Sequence, residues 1–269
     1  MSSPGFQFDD LLSIENIIRD ACASSLTTYY AHSTANYKPD GSIVTEADLA
    51  MQETLTTLLA EKYPSIKMLG EEDTEECQQA VIEGGGDFWC LDPVDGTTNF
   101  HATMPLFSVS LALVSQGEVI LGVIYDPNQK EFFSAIKGQG FWVNDIKTDR
   151  QQQPESMSQA IAFVDFKRLN NELRTELAVN SPYKSQRNIG TCALEWAWLA
   201  AGRASLLVHG REKLWDYAAG YLLNLESGGI SESFAGEPVF NNSLEPRSVI
   251  AASNAQLFDQ WSHKIRSFL

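Results

Sequence analysis

The chain has 269 residues, 43% of them apolar, which is ample for a packed core in one large domain or two small ones. Its 35 acidic residues outweigh 19 basic ones, and the formal net charge of -16 makes nucleic acid a poor default partner, because phosphate backbones are repelled. The four cysteines (Cys22, Cys77, Cys90, Cys192) are widely spaced with no CxxC pair, which suggests neither a disulfide framework nor a zinc cluster and fits a reducing compartment.

The first ten residues carry two acids and no apolar run, unlike a secretory leader. Phe8, Leu11, Leu12, Ile18 and Cys22 recur at helical spacing and predict an amphipathic helix over about 9–31. A polar loop with Pro39-Asp40-Gly41 follows. Thr45 then opens a second helical pattern (Ala47, Met51, Leu55, Leu58, Leu59) that has to stop before Pro64. Residues 66–69 read as a short strand, closed by Gly70 and an acidic run over 71–76. From Phe88 the pattern is strand. Phe88-Trp89-Cys90-Leu91 runs into an Asp-Pro-Val-Asp-Gly turn, 107–114 and 119–125 read as a hairpin, and 131–135 as a further strand. The apolar region 107–125 is broken by Ser115-Gln116-Gly117-Glu118 and cannot span a bilayer as one helix. Residues 149–158, rich in Gln, Pro and Ser, are the best boundary candidate. Beyond them, strands (161–164, 185–189, 204–208, 248–252) alternate with helices (171–179, 192–201, 215–225 and one at the C-terminus). This order predicts layered sheets and helices in two halves, about 1–148 and 159–269, of a single domain over 1–269. A cytoplasmic protein without membrane association is expected.

The chemistry centres on Asp92-Pro93-Val94-Asp95-Gly96-Thr97-Thr98. Two carboxylates on one tight bend can point into one pocket, where they raise each other's pKa unless cations lie between them. Mg²⁺ suits such a pair because it prefers hard oxygen ligands. Gly96-Thr97-Thr98 adds free backbone N–H groups of the kind that cradle phosphate oxygens. Taken alone, the stretch reads equally well as an Asx turn.

Its context is more specific. In chain order stand Lys38-Pro39-Asp40-Gly41-Ser42-Ile43-Val44-Thr45-Glu46-Ala47-Asp48, then Gly70-Glu71-Glu72-Asp73, then Asp92 to Thr98 with Asn99-Phe100, then Leu214-Trp215-Asp216-Tyr217-Ala218-Ala219-Gly220. With Gly190-Thr191-Cys192-Ala193 between the last two, the chain resembles the inositol monophosphatase superfamily from about residue 8 to its end. The resemblance implies an α/β fold of alternating helix and sheet layers (αβαβα), shared with fructose-1,6-bisphosphatase, and a homodimer. It implies two or three Mg²⁺ per site. Glu71, Asp92 and the carbonyl of Val94 would hold the first ion, and Asp92, Asp95 and Asp216 the second. A metal-activated water would attack a small phosphate monoester directly, with Glu71, Thr97 and Asp48 as the catalytic set. Asp95, Gly96 and Thr97, with Gly190, Thr191, Cys192 and His209, would bind the substrate.

Each residue has a plainer reading. Glu71-Glu72 opens an acidic run of the kind that is usually a solvated face. Thr45-x-x-Asp48 has the shape of a capping box, and Asp216 suits a helix N-terminus. Cys192 reads as a small packing residue. Ser42 stands where many members carry an acid, and His209 where inositol-specific members commonly carry a Glu. The resemblance therefore leaves the substrate open between an inositol or similar polyol monophosphate and histidinol phosphate, fructose 1,6-bisphosphate or 3′-phosphoadenosine 5′-phosphate. Arg187, Lys184, Arg211 and Lys213 fall near the expected entrance and can meet a second phosphate. A non-catalytic binding protein on the same scaffold is the remaining alternative.

Overall fold

A computed structural model describes residues 5–30, 34–38, 43–149 and 153–269. Helix α1 (Phe8–Ser24) buries Leu11, Ile14, Ile18 and Cys22, and a break at Ser25 separates it from the short α2 (Leu26–Tyr29). Strands β1 (Ala35–Tyr37) and β2 (Ile43–Thr45) pair antiparallel and lead into α3 (Glu46–Lys62). Strand β3 (Lys67–Gly70) follows, then α4 (Glu75–Glu83), which the sequence pattern did not foresee and which Thr74 caps. The next strand, β4 (Phe88–Asp95), is buried along its whole length and ends at the short helix α5 (Thr97–His101). A meander completes the first sheet: β5 (Ser108–Ser115), β6 (Glu118–Asp126), β7 (Glu131–Ile136), β8 (Gly140–Val143) and β9 (Ile146–Lys147). These seven strands lie in sequence order, all antiparallel except the β3–β4 pair.

The second half runs β10 (Ile161–Val164), α6 (Asn171–Val179), β11 (Ser185–Arg187), α7 (Cys192–Ala200), β12 (Leu206–Glu212), α8 (Leu214–Glu226), β13 (Ile230–Glu232), β14 (Arg247–Ala252) and α9 (Ala255–Arg266). Its sheet has the order β11-β10-β12-β14-β13, parallel across the first three strands and antiparallel beyond.

Alternation along the strands sorts side chains into three cores. Trp89, Leu91, Leu111 and Val123 face α1 and α3. Phe88, Cys90, Ala112 and Ile124 face the other way, onto α7 and α8, where they meet Phe163, Leu207, Val249 and Ala251 from the second sheet. Leu206, Val208, Ile250 and Ala252 point outward again, onto α6 and α9. The layers are thus helix, sheet, helix, sheet, helix, and both halves share the middle core. No described helix is long and apolar enough to cross a membrane.

Candidate active site

A local irregularity in β4 builds the site. Asp92 is paired with Ser110 but Asp95 with Ser108, so three steps on β4 match two on β5. Side chains three apart on a regular strand point to opposite faces; one extra residue reverses the parity and turns both carboxylates to the same side. Pro93 sits inside this bulge, where a missing N–H costs no ladder bond. Asp92 Oδ1 accepts the Val94 amide at 3.0 Å, so the Asx turn is real and fixes the carboxylate rather than competing with its use.

Glu71 comes to this pair from the end of β3, its amide donating to the Leu91 carbonyl at 2.9 Å in continuation of the parallel ladder. Asp216 comes from the first turn of α8, where its Oδ2 accepts the Lys213 amide at 2.8 Å. Asp48 comes from the first turn of α3, in a capping box whose Oδ2 accepts the Thr45 amide at 2.8 Å. Its Oδ1 faces the Thr97 hydroxyl at 3.1 Å, and that hydroxyl is equally close to the Val94 carbonyl. Capping and site roles therefore coincide: the helix start is what holds the carboxylate in place.

So many acids in one buried cleft shift one another. Burial first, then the charges of Glu71, Asp95 and Asp216, push Asp92 well above the ordinary carboxylate range. Asp216 is raised for the same reasons. Burial raises Asp95 to about 6, less than its surroundings alone would, because Thr191, Ala193 and Cys192 donate hydrogen bonds to it. Lys38 lies between Glu71 and Glu72, 2.9 and 2.8 Å from their oxygens. Burial works against its charge, yet the two carboxylates hold the ammonium above its ordinary value. An organic cation already neutralises part of the cleft, and the remaining donors are the hard carboxylate oxygens that Mg²⁺ prefers. The donor set fits Mg²⁺.

Asp95 also joins the two halves. Its oxygens accept the Thr191 hydroxyl and the amides of Cys192 (3.3 Å) and Ala193 (2.7 Å), so it sits on the N-terminus of α7. Asn99 donates to the carbonyls of Leu106 and Ile189, both at 2.8 Å, and holds the loop before Gly190 against α5. Gly96 adopts φ +93°, and a Cβ there would stand 3.0 Å from the Leu106 carbonyl oxygen and 3.3 Å from Thr191; only glycine fits this turn.

A cavity of ≈ 680 Å³ opens over these groups, lined by Lys38, Glu71, Gly96, Thr97, Thr98, Gly190 and Asp216 among others. Thr191 and Cys192 do not line it, and their donors are turned to Asp95. His209 is buried, its Nε2 2.9 Å from Asp165 Oδ2 and its Nδ1 accepting the Arg211 amide at 3.2 Å. Arg211 and Lys213 line the cavity; Lys184 and Arg187 do not, and Arg187 donates instead to Ser185 and the Gln186 carbonyl. Ser42 lies outside the described residues. Lys38, Lys167 and Arg168 also line the cavity and were not read as site residues from the sequence. For the last two the available signal was their position just after a strand whose neighbours are parallel.

A layered fold with clustered carboxylates beside a glycine turn is the arrangement of a phosphatase. The chain belongs to the inositol monophosphatase family: a family model described as "Inositol monophosphatase family" matches residues 11–267. Among its relatives, the inositol-1-monophosphatase of Bacillus subtilis is 29% identical over 254 residues, covering 91% of this chain and 94% of its own. A protein named Nus factor SuhB from Pseudomonas aeruginosa is 32% identical over 231 residues, covering 82% of each. Among solved structures, the Thermotoga maritima IMPase superposes with a TM-score of 0.83 at 27% identity, over 97% of this chain and 98% of the other. The protein is a phosphoric monoester hydrolase with the layered fold of its family.

Proposed function

We propose that the protein hydrolyses an inositol monophosphate or a similar polyol phosphate with Mg²⁺ held by Glu71, Asp92, Asp95, Asp216 and the carbonyl of Val94. The observation that carries this reading is the convergence of acids from four separate segments: Asp92 feels the charges of Glu71, Asp95, Asp216 and Asp48, and Glu71 and Asp216 line the cavity beside Thr97. When bound, the ions offset the charge of the phosphate and lower the pKa of water. The chain's own groups do the rest. Asp48 Oδ1 accepts a hydrogen bond from the Thr97 hydroxyl, which leaves a Thr97 lone pair to accept one from the water that attacks phosphorus. Gly96 and Thr97 offer backbone N–H groups to the phosphate oxygens, at a turn where the positive glycine φ lets the backbone come close. A cytoplasmic homodimer is the form we expect.

Release of inorganic phosphate from inositol 1-phosphate tests the reading. Activity should require Mg²⁺, vanish in EDTA, and fall at least about 10³-fold in Asp92→Asn and Asp216→Asn, on the order of 4 kcal/mol of transition-state stabilisation. Full Mg²⁺-dependent turnover in either folded variant would remove these residues from the ligand set.

A further inference from the structure

The bulge that faces Asp92 and Asp95 together has a counterpart in β12. His209 is paired with Val249 but Glu212 with Arg247, so three steps on β12 match two on β14 and both side chains turn to the same side. That side meets the start of α7. Cys192, the first residue of α7, has its Sγ 3.8 Å from His209 Nε2, and one turn further on Trp196 Nε1 donates to Glu212 Oε2 at 2.9 Å. A donor atom of each of Cys192, His209 and Glu212 lies within 4.8 Å of the other two. None of the three lines the large cavity.

Each member is held in place from outside the cluster. His209 Nδ1 accepts the Arg211 amide at 3.2 Å, which fixes the ring with Nε2 toward Cys192 and, at 2.9 Å, toward Asp165 Oδ2. Asp165 is itself anchored, its Oδ1 accepting the Lys167 amide at 3.0 Å in the turn after β10. Trp196 orients Glu212 as an outer hydrogen bond orients a metal-ligating carboxylate. Glu212 Oε1 accepts no hydrogen bond among the described residues and stands 3.9 Å from His209 Nδ1. The residue is 1% exposed, and a buried carboxylate oxygen without a donor is costly. A cation removes that cost. Cys192 is half-buried, which leaves an ion a route to the cluster.

A sulfur, an imidazole and a carboxylate are ligand types of zinc, whereas Mg²⁺ takes oxygen. Bonds of about 2.0–2.3 Å to a tetrahedral ion place its ligands roughly 3.3–3.8 Å apart, and the 3.8 Å between Cys192 and His209 fits that spacing. We propose that Cys192, His209 and Glu212 form a Zn²⁺ site, separate from the carboxylate cleft, that clips the start of α7 to β12. Cysteine spacing in the chain does not announce it, because its ligands stand on two elements. Zn²⁺ binding here does not depend on which ester the cavity takes, or on turnover.

Co²⁺ serves as the visible probe, with Mg²⁺ in large excess to fill the carboxylate cleft. Expected of the wild type is a thiolate-to-cobalt charge-transfer band that saturates at one Co²⁺ per chain and is lost when Zn²⁺ displaces the probe. Cys77→Ser, which removes the exposed cysteine, should keep the band, and Cys192→Ser should abolish it. In competition with a chelating dye, Glu212→Gln should bind Zn²⁺ at least about tenfold more weakly than the wild type. His209→Gln, with the same expected loss, replaces it if the buried glutamine prevents folding. The site is overturned by a wild type without the band, by a band that survives Cys192→Ser or disappears in Cys77→Ser, or by unchanged Zn²⁺ affinity in either folded ligand variant.

Discussion

Thr97 shows how one side chain serves two masters in this site. Its hydroxyl has a single proton and two acceptors at 3.1 Å, Asp48 Oδ1 and the Val94 carbonyl. Burial raises the Asp48 carboxyl, while hydrogen bonds from Thr45 and Thr97 draw it back. Thr97 thus stabilises the charged form of Asp48. Thr97→Val keeps the shape and removes the proton, and kcat for phosphate release is expected to fall about 10²–10⁴-fold with little change in melting temperature. Thr97→Ser restores the hydroxyl and should recover most of the rate. A valine variant as fast as the serine one would leave Thr97 a purely structural residue.

At the scale of elements, the precision of the site depends on how closely α7 and α8 approach. Helix α8 delivers Asp216, and α7 receives Asp95 at its N-terminus. Gly220 of α8 lies against Trp196 of α7, where a Cβ would stand 2.3 Å from the tryptophan Cβ, and Ala219 presses on Gly122 of β6. Gly220→Ala inserts a methyl where no volume exists. The expected cost is about 1–3 kcal/mol, read as a lower urea midpoint at unchanged slope. Activity should fall as well, because the displaced helix carries Asp216, which we propose as a metal ligand. An unchanged midpoint would mean that the helix pair yields without loss.

For the whole molecule, buried acid makes stability depend on pH in an unusual direction. Burial raises Asp95 to about 6, Glu15 and Glu72 to about 7, and Glu195 to about 8. Each of these groups binds its proton more tightly in the folded chain than in the unfolded one, where carboxyls titrate near about 4. Their contribution is therefore full below about pH 4 and is lost as pH rises through 6 to 8. In EDTA the melting temperature should be higher at about pH 5.5 than at about pH 8. Mg²⁺ should narrow the difference, since cations replace protons at Asp95. A melting temperature that rises toward pH 8 in EDTA contradicts this account.

Much of the molecule was legible in the residues alone. Alternation in 107–114 and 119–125, the Thr45 cap, and the helix over 171–179 follow from local periodicity and capping, which are properties of short segments. The acids that gather in the cleft were legible too, because they stand in dense, ordered motifs around Asp92 and Asp95. What periodicity could not show is anything set by neighbours distant in the chain. The bulge that turns Asp92 and Asp95 to one side exists only against β5. The grip of Asp95 on α7 spans about a hundred residues. Lys167 and Arg168 look like ordinary solvated lysine and arginine until β10 and β12 lie in parallel and His209 draws their turn to Arg211. The sequence by itself determined the family and its reaction class, because the acidic segments that carry the resemblance are written as motifs. Only the tertiary structure brought Lys167, Arg168, Arg211 and Lys213 to the one cavity, because electrostatic convergence is a matter of distance in space.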